Sequence, residues 1–113
     1  LFNKVFLIGN LTKDPDVRYT PSGIAVTKFT IAINRSFKKK DDDTANEADF
    51  IRIATWRRLA EICGEFLKKG SAVFIEGRLQ ISSYEKDGEQ KTIAEIVADN
   101  MQILSKRQDN KQS

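Results

Sequence analysis

Side chains suited to acid–base or covalent chemistry are scarce in this chain. It has no His, which removes the usual general base near neutral pH and the commonest metal ligand. Cys63 is the one Cys, so there is no intrachain disulfide, no CxxC pair and no zinc cluster. Its place inside an apolar helical pattern marks it as a small core residue rather than a nucleophile. No stretch matches a phosphate-cradling P-loop, a GxGxxG turn or a GxSxG elbow. Asp41-Asp42-Asp43 follows Lys38-Lys39-Lys40 and lacks the Gly and terminal Glu of a calcium loop, so it reads as solvated loop. No catalytic residue, metal or cofactor is expected. The enzyme alternative is a metal-dependent nuclease, which would need Asp14, Asp16 and Asp41 to Asp43 as ligands.

What the chain offers instead is aromatic rings beside cations. Phe37 precedes Lys38 and Lys39, Phe50 and Trp56 flank Arg52, and Tyr84 stands close to Lys86. Arg35, Arg57, Arg58, Lys69 and Arg78 lie near these positions. Rings stack on bases, at roughly 1–3 kcal/mol per base, while cations follow phosphates. Such stacking tolerates any base, since every base has a π-face. The net charge, 19 Lys plus Arg against 16 Asp plus Glu, is only +3. That excess does not by itself argue for a polyanionic partner, so placement must carry the argument. A single Phe is more often core than platform, and rim cations also serve solubility. Rings alternating with cations on one face favour a binding surface.

The elements that hold these residues follow from periodicity. A chain of 113 residues, 40% apolar and 31% charged, makes one small globular domain and leaves little room for a second. Charges break the apolar runs every few residues, so no transmembrane segment fits. The start, Leu1-Phe2-Asn3-Lys4, with one charge and a four-residue apolar run after it, shows no signal peptide. Asn3 to Leu11 is a dense apolar run, expected to be a strand buried on much of both faces. A short Val17-Arg18-Tyr19 segment lies between turns. From Ile24 to Phe37, Phe29, Ile31 and Ile33 share one face and Lys28, Thr30, Ala32 and Asn34 the other. Residues 38–48 form a loop. In Asp49 to Trp56, Ile51 and Ile53 face the core while Phe50, Arg52, Ala54 and Trp56 face away.

Then the period changes. Leu59, Ile62, Cys63, Phe66 and Leu67 make an amphipathic helix, closed by Lys68-Lys69 and a Gly70 cap. Phe29 and Phe66 are assigned to the core. The fourth strand, Ser71 to Tyr84, puts Val73, Ile75, Leu79 and Ile81 on its inner face, with a bend or bulge at Gly77. An Asp87-Gly88 hairpin leads to the fifth strand, Lys91 to Ala98, which Met101 to Leu104 can extend. The order predicts an all-β fold with one helix: an OB-fold, a five-stranded Greek-key barrel with a helix between its third and fourth strands. The domain is expected over 1–104, with a polar, disordered tail over 105–113.

The same residues also resemble a family. Asn3-Lys4-Val5-Phe6-Leu7-Ile8-Gly9-Asn10-Leu11 and Asp14-Pro15-Asp16-Val17-Arg18-Tyr19 resemble the opening of bacterial single-stranded DNA-binding proteins. So do Trp56-Arg57-Arg58-Leu59-Ala60-Glu61, Leu67-Lys68-Lys69-Gly70-Ser71 and Val73-Phe74-Ile75-Glu76-Gly77-Arg78-Leu79. The resemblance is ordered and runs to about Leu104. It implies a cytoplasmic, nucleoid-associated OB-fold subunit, usually a homotetramer built as a dimer of dimers. Such a subunit holds single-stranded DNA without sequence preference in replication, recombination and repair. The family's stacking positions fall on Phe37, Phe50, Trp56 and Tyr84. Its dimer contact falls on about Asn3 to Gly9, and its dimer–dimer contact around Phe74 and Glu76, with Ile51 nearby.

Members commonly continue through a flexible linker to an acidic tip that recruits other proteins. This chain stops at Lys111-Gln112-Ser113, as a trimmed chain or a short paralogue would, and recruitment through such a tip is not expected of it. The alternatives are another OB-fold nucleic-acid binder, such as a primosomal replication protein, or an assembly subunit whose exposed rings contact protein.

Overall fold

The computed structural model describes residues 1–35 and 47–105. The described chain is a single mixed sheet of six strands with one helix. Strand β1 is Val5–Leu11, β2 Asp16–Tyr19, β3 Ala25–Asn34 and β4 Ala48–Trp56; helix α1 is Arg57–Phe66; β5 is Ala72–Lys86 and β6 Glu89–Ile103. The strand additional to the five expected is β2, the Val17-Arg18-Tyr19 segment. It pairs along the start of β3, from Asp16 opposite Lys28 to Tyr19 opposite Ala25. The Thr20–Ile24 turn makes this possible: Gly23 takes φ 88, its N–H reaches the Thr20 carbonyl, and Thr20 N–H reaches that of Ile24. Sequence reading missed the strand because its pattern is too short to show a period, and all four of its residues are exposed.

The pairing order runs β1-β5-β6-β4-β3-β2, with a further contact of β1 on β3 through Asn10 opposite Ala32 and Leu11 opposite Ile31. All pairs are antiparallel except β4–β6, which is parallel and short. The core lies inside this arrangement. Ile31, Ile53, Val73 and Ile75 are fully buried, with Leu11, Phe29, Ile96 and Ala98 around them. Gly77 stands where the β5–β6 register shifts, and a Cβ there would run into the Val97 carbonyl. The bend expected at Gly77 is therefore present, with Asp99 as the extra residue on β6.

The helix packs by a narrower stripe than its sequence predicts. Ala60, Cys63 and Leu67 are buried, and Leu59 and Ile62 are half-buried. Phe66 is 59% exposed, so its assignment to the core is wrong. The helix ends at Phe66 because Leu67 turns to extended backbone, which drops its side chain into the core. Gly70 is not the helix cap. It takes φ 93 in the following turn, where its N–H reaches the Leu11 carbonyl. A buried hydroxyl fixes α1 to the sheet: Thr27 on β3 donates to the Ala60 carbonyl at 2.7 Å, and Thr55 on β4 in turn donates to the Thr27 carbonyl at 2.8 Å. Cys63 sits in this seam, and burial pushes its thiol up to about 11, against a smaller opposing effect of a hydrogen bond with Thr55. That is inert core chemistry.

Two further expectations are corrected. Strand β1 is buried on one face only: Leu11 is in the core, whereas Phe6 and Ile8 are about 60% exposed. Among the described residues nothing covers that outer face, although Phe6 stacks on Phe74 with ring centroids 6.1 Å apart. Leu79 and Ile81 keep the inward phase of β5 but are also exposed. Beyond Gly77 the β5–β6 hairpin runs past the core, so its inner face has little to pack on.

Candidate nucleic-acid interface

The outward face of four adjacent strands, β3, β4, β6 and β5, collects part of the predicted residues. Strand β4 contributes Phe50, Arg52, Ala54 and Trp56 by simple alternation. On β3 their partners are Ala32, Thr30, Lys28 and Val26. Across the parallel pairing, Ala54 lies opposite Val97, which places Glu95 beside Arg52. On β5, Arg78 faces Val97 and Gln80 faces Glu95. A shallow groove follows these rows. Phe50, Arg52, Ile93 and Glu95 share one depression, of about 320 Å³. Arg52, Glu95, Lys28 and Lys13 share a second, and Trp56, Arg57, Arg78, Gln80 and Glu95 a third.

The rings are available. Phe50 is 66% exposed and Trp56 42%, with Arg52 between them on the same strand face. Tyr84 is exposed on the hairpin, opposite Lys91 and near Lys86. Phe37, Lys38 and Lys39 lie outside the described residues. Arg57 follows Trp56 with φ 59, a left-handed conformation that an L side chain adopts at a cost of about 1–2 kcal/mol. The turn from strand to helix requires it, and it leaves Arg57 in the depression that Trp56 lines.

The cations divide into two groups that the sequence does not separate. Arg35 bonds Glu47 and Asp49, each at 2.8 Å, Arg78 bonds Asp99 at 2.6 Å, and Arg58 pairs with Glu61 at 3.3 Å along the helix. The hydrogen bond and charge of Asp49, with the charge of Glu47 behind them, raise the Arg35 guanidinium; Arg35 in turn holds the Asp49 carboxyl below its ordinary range. Arg52, Arg57, Lys69 and Lys86 have no acidic partner among the described residues. Lys69 and Lys86 line none of the three depressions, and neither does Arg58. Lys69 belongs to the turn whose backbone is held by Asp14, through Lys69 N–H at 2.9 Å.

Sequence reading missed Lys28 and Glu95. Their charged groups are 3.1 Å apart, and Ala54, between them on β4, is 1% exposed despite facing outward. Lys28 could have been found, since it shares the outward face of its strand with Thr30. Glu95 gave no signal, because only the parallel β4–β6 pairing brings it to Arg52.

The arrangement can stack planar groups at two places on β4 and offer Arg52 to an anion between them. Comparison with known proteins agrees with that chemistry. A family model described as the single-strand binding protein family matches residues 2–104. Single-stranded DNA-binding protein 2 of Listeria monocytogenes is 46% identical over 111 residues, which is 97% of this chain and 68% of that protein. Single-stranded DNA-binding protein A of Bacillus subtilis is 48% identical over 105 residues, 92% of this chain and 60% of that protein. The chain spans about two-thirds of the length of such relatives. By the extent of the family match and the identity of these relatives, the chain belongs to the single-strand binding protein family.

Proposed function

We propose that this protein binds single-stranded DNA without sequence preference and protects it in replication, recombination and repair. The observation that carries the reading is the outward row of β4, where two exposed rings alternate with a cation that has no acidic partner among the described residues. Phe50 and Trp56 stack bases, and Arg52 and Arg57 neutralise phosphates beside them. Tyr84 and Lys86 extend the surface along the hairpin, and Phe37, Lys38 and Lys39 belong to it by sequence. Arg35, Arg58 and Arg78 join once a phosphate competes for them with their carboxylates, and Lys69 marks the outer limit of the path. The test is titration with oligo-dT of increasing length while Trp56 fluorescence is followed. Saturable quenching, outcompeted weakly by duplex, is expected. Absence of quenching would favour an assembly subunit, and tighter oligo-rU binding an RNA-binding relative.

The fold reading that goes with this function is a five-stranded OB barrel formed by residues 1–104. It is supported by the pairings, since β1, β5, β6, β4 and β3 each contact the next and β3 returns to β1, with β2 appended outside. A homotetramer acting at the nucleoid in the cytoplasm completes the reading. Its support is the exposed apolar face of β1, where Phe6 and Ile8 stand beside Phe74. Light scattering at micromolar concentration should give four times the chain mass, and Phe6→Asp with Ile8→Asp should lower it. A parent protein that is monomeric there would defeat the tetramer.

A further inference from the structure

The groove contains a charge of the wrong sign for its ligand. Glu95 lines all three depressions, its side chain is only 17% exposed, and its ionic partner among the described residues is Lys28. Asp99, two residues past Val97 on the same strand, bonds Arg78 in the same way. Both carboxylates stand on β6, and each takes a cation from a different strand: Glu95 from β3, across β4, and Asp99 from the adjacent β5. Across that width of the groove Lys28 and Arg78 are already paired with carboxylates. The cations without acidic partners, Arg52 and Arg57, lie along β4 and at the start of α1.

We propose that Glu95 is a positioning residue that withholds Lys28 from the phosphates, leaving them to Arg52 and Arg57 and limiting affinity; the proposal rests on the single-strand reading above. A carboxylate at 3.1 Å already supplies the charge that a phosphate would supply, and it is held in place by the fold. Lys28 therefore makes no phosphate contact that would release a counterion while Glu95 holds it. A phosphate approaching Lys28 would also meet the Glu95 carboxylate, a like charge in a partly desolvated place. The bases, which carry no charge, meet no such penalty there. Asp99 competes for Arg78 in the same way but yields it to a phosphate more readily, because that pair is nearly half exposed on both sides. The consequence is a binder that releases fewer counterions than its face has cations.

The experiment is the salt dependence of oligo-dT affinity, with thermal unfolding recorded for every variant. Each phosphate neutralised contributes about 0.7 to the slope of log affinity against log salt for single strands. Glu95→Gln keeps the shape and removes the charge. It should bind more tightly at low salt and steepen the slope by about 0.7, an extra loss of about 2.6-fold over a fourfold rise in salt. Glu95→Asp should restore the parent slope, and Lys28→Met combined with Glu95→Gln should match it. Arg52→Met should flatten the slope by about 0.7, showing that the assay resolves one contact. If Glu95→Gln does not fold, Asp99→Asn asks the same question of Arg78, and a steeper slope again supports the proposal. A slope unchanged or flattened in the folded variant overturns it. Failure of the parent protein to bind oligo-dT would instead overturn the single-strand reading, and this proposal with it.

Discussion

Trp56→Ala and Phe50→Ala should each weaken oligo-dT binding by about 1–3 kcal/mol for every base stacked on the lost ring, roughly five- to more than hundredfold. The fold should survive both changes. Phe50 is two-thirds exposed and Trp56 nearly half, so truncation removes little buried area. Trp56 precedes the helix but makes no side-chain capping bond to it, so no cap is lost. Removing a ring takes away a platform and no charge, so the salt slope should stay near that of the parent. Fluorescence reads the Phe50 variant; calorimetry is needed for the other, because it deletes the only Trp. A Trp56 variant that unfolds while keeping its affinity would reverse the face assignment of β4.

Ile53→Ala should destabilise the protein by about 2–5 kcal/mol and lower its Tm by about 10 °C or more. Ile53 is fully buried on the inner face of β4, between Phe29 on β3 and Ile96 on β6. The surrounding strands are hydrogen-bonded to one another and can close only part of the cavity. Phe66→Ala, by contrast, should cost less than about 1 kcal/mol, because more than half of that ring is already in water. The pair is informative because both residues are large and apolar and both sit in strongly periodic segments. Thermal or urea unfolding of the two variants side by side reads it, and a Phe66 loss as large as that of Ile53 would mean that the ring is covered in solution.

That contrast also shows how far the sequence could be read. Alternation along Phe29, Ile31 and Ile33, and along Phe50 to Trp56, identified the faces of β3 and β4, because each strand has one wet side and one dry side. The Gly77 bend was legible because glycine inside an apolar strand has few other uses. Phe66 was misread because a helical stripe says which side is apolar but not how wide the covering sheet is. Leu79 and Ile81 were misread for the same reason at the other end of the fold: their phase is right, but the core stops before it reaches them. The strand count failed at Asp16–Tyr19, which pairs with β3 yet buries nothing. In the candidate site the rings were legible and the ion pairs were not. Arg78 and Arg52 look alike in sequence, and only the register at Asp99 shows that one of them is occupied.

The left-handed Arg57 sets protein engineering against biology at a single residue. Glycine or asparagine would adopt φ 59 with less strain, so a screen that rewards heat resistance alone should drift towards either of them. Each would relieve the junction between β4 and α1 and strip a cation from the depression beside Trp56. A more durable chain obtained that way would be a poorer ligand trap, and its loss would pass unnoticed in any assay of folding. Selection for affinity would act in the opposite sense and retain an uncomfortable backbone. Position 57 is thus where a melting curve is least able to stand in for a binding curve.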